Sequence, residues 1–141
     1  MADLHGLIRV RKYAVEQKQK FLSELYRQAE ELENQKATLI TQRAEEEKKV
    51  HEMGVEMLSY FGPYAKAVEE RVDDIKQSMS TLSKRIEIAR EDMRAAFADL
   101  KKIQITQDSR QAQEDATIKK KEDNELDEIA LQIFRREREQ E

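Results

Sequence analysis

The chain has 141 residues, of which 40% are charged and only 6% aromatic, with three glycines, one proline, no tryptophan and no cysteine. Hydrophobic residues make up 38% and mean hydropathy is −0.90, too little apolar material for a globular core; such composition reads as long helix or coiled coil. The net charge of −4 comes from 26 basic and 30 acidic residues mixed along the chain, which argues against a nucleic-acid binder with its basic face.

The absence of cysteine excludes disulfides and thiolate metal sites. No apolar run approaches the roughly 20 residues that span a bilayer. The opening MADLHGLIRVRK lacks the apolar centre of a secretory signal, so a cytoplasmic location is expected.

Alternating steps of four and three from Leu4 give Ile8, Arg11, Val15, Lys18, Leu22, Leu25, Ala29, Leu32, Lys36, Leu39, Arg43, Glu46, Val50, Met53, Met57 and Tyr60. Twelve of these 17 positions are apolar. A 3.5-residue repeat sustained this long keeps one stripe facing a partner helix. Lys36, Arg43 and Glu46 make this seam more polar than a tightly zipped pair needs.

The segment Ser59-Tyr60-Phe61-Gly62-Pro63 interrupts the pattern. Gly62 suits a helix end and Pro63 the first turn of a new helix. Continuing the first seam predicts Tyr64, Ala67 and Arg71, whereas the apolar positions are Ala65, Val68 and Val72. A slip of one residue rotates the stripe by about 100°, while coiled coils absorb insertions of three or four. The expectation is an all-α, antiparallel two-helix coiled-coil hairpin forming a single domain over 1–141. Helix 1 spans about 3–60, the turn 61–63 and helix 2 about 64–138. The alternative is a continuous helix kinked at Pro63 and running as a parallel homodimer. Such a hairpin forms a rod near 85 Å long, from about 57 residues per arm at 1.5 Å each, and is a monomer in isolation.

The second seam is fully apolar, at Ala65, Val68, Val72, Ile75, Met79, Leu82, Ile86, Ala89, Met93, Ala96, Leu100 and Ile103. Its continuation through Gln107, Arg110, Glu114, Thr117, Lys121 and Asn124 is polar. With a turn at Gly62, residue i faces about residue 124 − i. Leu126, Ile129, Ala130, Ile133 and Phe134 then form a helical apolar face beyond Leu4, a C-terminal overhang suited to docking in a groove. The alternative is that it folds back on Leu4, Leu7 and Ile8. Arg135, Arg136 and Arg138 flank the face with positive charge, which also suits a helix C-terminus.

The hairpin tip is unusually apolar for a turn, which ordinarily favours Gly, Asn, Asp and Ser. Val55 and Leu58 lie off the first seam, and Tyr60, Phe61 and Tyr64 crowd the segment. Tyr60 is expected to plug the end of the seam, and the remaining tip residues are a candidate contact site.

No catalytic or metal-binding constellation is present in the sequence. His5 and His51 stand far apart without a ligand neighbour, and there is no phosphate-cradling loop and no nucleophile beside a base. Neither an enzyme nor a cofactor is expected.

The opening Leu4, Leu7-Ile8-Arg9-Val10-Arg11-Lys12 and Glu16, the long heptads, the single turn and the closing Glu122, Glu125-Leu126-Asp127-Glu128-Ile129-Ala130 together resemble the flagellar FliJ family of type III export proteins. The resemblance covers essentially the whole chain. It implies an antiparallel coiled coil similar to a rotary-ATPase stalk, which binds and activates a hexameric export ATPase. It further implies a link to the export gate at the cytoplasmic face of the inner membrane, and contacts with export chaperones. On that resemblance the ATPase would meet Arg9, Arg11, Lys12, Leu126, Ile129, Ile133, Phe134, Arg135 and Arg136. The gate would meet Val55, Leu58, Phe61 and Tyr64. The stalk of a virulence-type secretion system, or a scaffold without an ATPase partner, are the alternatives.

Overall fold

A computed structural model describes residues 4–140, so the expected helix start at residue 3 lies outside the described residues. Helix α1 runs His5–Met53, a single 3-10 turn covers Val55–Met57, and helix α2 runs Leu58–Gln140. The chain is an all-α helical hairpin without strands among the described residues. It falls into two compact units, residues 13–97 and residues 1–12 with 98–141.

In the unit of residues 13–97, the two helices zip along the expected seams. Leu22, Leu25, Leu82 and Ala89 form one buried cluster, flanked by Ala29, Leu32, Ile86 and Met93. Leu39, Val68 and Val72 form a second, with Tyr64 and Ile75 packed against it. Every apolar seam residue of α1 between Val15 and Val50 is buried or half-buried. The polar seam positions behave differently: Lys36 is half-buried, with its ammonium 3.7 Å from Glu33, while Lys18, Arg43 and Glu46 stand exposed. Long charged side chains tolerate such positions by laying their stems on the apolar surface and keeping their heads in water. On the outer face, Arg27 donates to Glu24 at 2.7 and 3.0 Å and to Glu31 at 3.3 Å. This pairing holds the Glu24 carboxyl below its usual range, but in contact with water it adds little to stability.

The turn is not where turn chemistry placed it. The chain reverses at Gly54, whose φ of 104° and ψ of 177° lie in a region that only glycine occupies readily. The Gly54 amide donates to the Val50 carbonyl at 3.3 Å, and the Met57 amide to the Gly54 carbonyl at 3.3 Å. Pro63 instead sits inside α2, as its sixth residue. Its missing amide leaves only the Ser59 carbonyl without the usual helical donor, and Ser59 is exposed to water. Gly62 eases the passage, because a side chain before proline would clash in the helical conformation and glycine has none. The α2 seam therefore runs back from Ala65 through half-buried Phe61 to Leu58, and the one-residue slip falls at Gly54.

Two substitutions separate the two turn assignments. Gly54→Ala should lower stability by about 1–3 kcal/mol, since no space problem exists there but the backbone conformation is costly for any L side chain. Pro63→Ala should raise it by roughly 1–2 kcal/mol, because a hydrogen bond is restored within α2. Thermal melting followed by circular dichroism reads both. A turn at 61–63 would give Gly54→Ala the mild gain of an ordinary helix interior and Pro63→Ala no gain.

Candidate interaction surfaces

Moving the reversal point to Gly54 changes which residues face each other. In the unit of residues 13–97, Leu22 clusters with Ala89 and Leu39 with Val72, pairs whose numbers sum to 111 instead of 124. In the other unit the Leu4 amide donates to the Gln107 side-chain carbonyl at 3.4 Å, a pair with the same sum. Helix α2 accordingly runs out of α1 partners near Arg110, about 13 residues earlier than the 124 rule implies. The overhang of this unit is therefore residues 111–140, and α2 continues through it without a break.

That overhang presents the predicted apolar face in the open. Leu126, Ile129, Ile133 and Phe134 are between 51% and 63% exposed, and no residue from 115 to 140 is even half-buried. The fold-back on Leu4, Leu7 and Ile8 does not occur: Leu4 and Ile8 are half-buried where α1 begins, and Leu7 is exposed. Arg9, Arg11 and Lys12 lie exposed on the first turns of α1, and Arg135, Arg136 and Arg138 are exposed on the last turns of α2. Ile118 was not singled out by sequence reasoning. It is 54% exposed and, three helical turns before Ile129, extends the same face. Its isolation among polar neighbours hid it, although an i, i+4, i+8 step to Leu126 through Glu122 was readable.

The tip divides into supports and free groups. Tyr64 packs on the Leu39–Val68–Val72 cluster, and the Phe61 ring lies 6.2 Å from the Tyr64 ring at an interplanar angle of 47°. Both are half-buried. Val55 is 82% exposed and Leu58 is also in the open. Tyr60, expected to plug the seam, is instead 73% exposed, because it precedes Phe61 and falls off the α2 seam. Met53 and Met57 add exposed, adaptable thioether surface beside it.

Among the described residues no group of three or more His, Cys, Asp or Glu is placed to hold a metal, and no helix is long and apolar enough to cross a membrane. An open furrow of about 670 Å³ is lined by residues including Arg27, Glu31, Gln35, Leu39, Gln42 and Arg71. It exposes side chains that can hydrogen-bond a partner but encloses no substrate.

The described residues form a helical hairpin with exposed apolar side chains between Met53 and Tyr60 and between Ile118 and Phe134. The family model described as "Flagellar FliJ protein" matches residues 1–139. The chain belongs to the FliJ family, and with it to the non-catalytic components of flagellar protein export. Comparison with curated proteins and with solved structures finds no match.

Proposed function

We propose that the protein is the stalk of the flagellar export apparatus that binds and activates the hexameric export ATPase and links it to the export gate. The observation that carries this reading is the overhang 111–140: thirty residues of helix with an exposed apolar face, in a chain of the FliJ family. A helix that leaves such a face uncovered forgoes the burial that stabilises helices in proteins, and recovers it on docking into an apolar groove. Leu126, Ile129, Ile133 and Phe134 are the anchors. Arg135 and Arg136, with Arg9, Arg11 and Lys12, supply charge that steers an acidic surface toward them. The gate contact is assigned to the tip, through Val55, Leu58 and Tyr60, with Phe61 and Tyr64 holding the segment in shape. Through these contacts the protein works in the cytoplasm, peripheral to the inner membrane, and export chaperones are its further partners.

The test is the double substitution Ile129→Asp with Ile133→Asp in the full chain. Stimulation of the cognate ATPase should be lost, since charged groups cannot enter an apolar groove unpaired. Melting of the hairpin should be unchanged, because both positions are already in water. Normal stimulation by this variant would remove the overhang from the ATPase contact.

A further inference from the structure

The overhang face carries opposite charge at its two ends. On a helix advancing about 100° per residue, Glu122, Leu126, Ile129, Ile133 and Arg136 fall within a strip about 80° wide. All five are exposed. Beside the strip stand Lys119 and Glu137, both about 60° to one side of its centre, and Glu125, about 60° to the other, while Arg135 and Arg138 lie on the far side of the helix.

We propose that this face pairs with the same face of a second copy of the chain, the two overhangs running antiparallel about Ile129. Turning one copy end for end sets its Arg136 against Glu122 of the other, and its Glu122 against the other's Arg136. The same rotation brings Leu126 of each copy to the level of Ile133 of the other, so the apolar strip covers itself. A parallel pair would stack acid on acid and arginine on arginine. A partner surface of uniform sign would match one end of the strip and oppose the other, whereas a two-fold related copy satisfies both ends with a single patch. The overlap of roughly 20 residues on one helix face falls short of the ~800 Å² per partner of a stable interface. The dimer is therefore weak, with a Kd on the order of 100 µM. The self-association stands apart from the ATPase reading. If that reading also holds, the second copy occupies the docking face and competes with the ATPase for it.

The test is sedimentation equilibrium of the full chain from about 10 µM to about 1 mM in low salt, with no other protein present. The average mass should begin at the 16.6 kDa of one chain and climb toward twice that value. Glu122→Arg and Arg136→Glu should each weaken the dimer roughly tenfold, because each change turns two symmetry-related attractions into repulsions. Combining them in one chain swaps the charges and should restore the dimer to within about twofold. Raising the salt to about 0.5 M should weaken the unmodified dimer. A mass that stays monomeric through 1 mM, single variants that associate like the unmodified chain, or a charge-swapped chain as weak as the single variants would each overturn the proposal. Circular dichroism of each variant establishes that α2 remains helical.

Discussion

Leu25→Ala should cost the hairpin about 2–5 kcal/mol, the largest stability loss expected of any single side-chain truncation in the molecule. Leu25 is 1% exposed, the most deeply buried side chain described, and lies in the cluster with Leu22, Leu82 and Ala89. Two packed helices bury only a narrow seam, so each layer carries a large share of the total. Of its neighbours, Ala29 and Ala89 are too short to expand into the cavity, and the larger ones would have to leave their own packing to fill it. For a unit of this size each kcal/mol corresponds to roughly 4–8 °C in Tm, so a fall of 10 °C or more is expected. Ile88→Ala is the control, since Ile88 is 64% exposed and should change stability by no more than about 0.5 kcal/mol. Thermal melts at two low micromolar concentrations complete the test. A hairpin melts independently of concentration, whereas a helix pair formed between chains does not. Equal effects at Leu25 and Ile88, or a concentration-dependent Tm, would contradict the intramolecular seam.

The second large effect is expected at the tip. Val55→Ser together with Tyr60→Ala should weaken binding to the export gate by about thirtyfold, the loss of ~2 kcal/mol that follows removal of interface anchors. Both residues are far in the open, at 82% and 73%, so the hairpin should melt as before. Phe61→Ala with Tyr64→Ala behaves differently. Tyr64 packs on Leu39, Val68 and Val72, and Phe61 rests beside it, so this pair should lower Tm as well as gate affinity. The two double variants thus separate contact from support. Gate binding that survives Val55→Ser with Tyr60→Ala, measured by titration on the folded variant, would move the contact from the tip to the shaft.

Much of this architecture was legible in the chain itself, for a reason that particular residues show. Helices built on a 3.5-residue repeat have one variable that matters, the phase of the apolar stripe. All twelve α2 seam positions from Ala65 to Ile103 are buried or half-buried, as the spacing predicts. So are the apolar positions of the first seam from Leu4 to Val50. The slip between the two stripes required a turn, and the face at Leu126, Ile129, Ile133 and Phe134 required a helix running past its partner. The family resemblance rested on the same residues and is met by the match over 1–139.

The place of the turn was decided by tertiary structure. Local chemistry pointed to Gly62 because Pro63 follows it, and nothing beside Gly54, eight residues earlier, marked it as the turn. Proline near a helix start costs one hydrogen bond, and here the orphaned Ser59 carbonyl is open to water, so α2 passes through it. A reversal at Gly54 lets Val50 stay buried and keeps Phe61 on the α2 seam, a gain in burial that no local signal records. From that shift follow the 111 pairing, the overhang that begins near Arg110 and the exposure of Tyr60. Periodicity is a property of each helix and can be read from its own residues. The register between two helices depends on which of several permissible turns lets both stripes meet, and only the packed pair settles it.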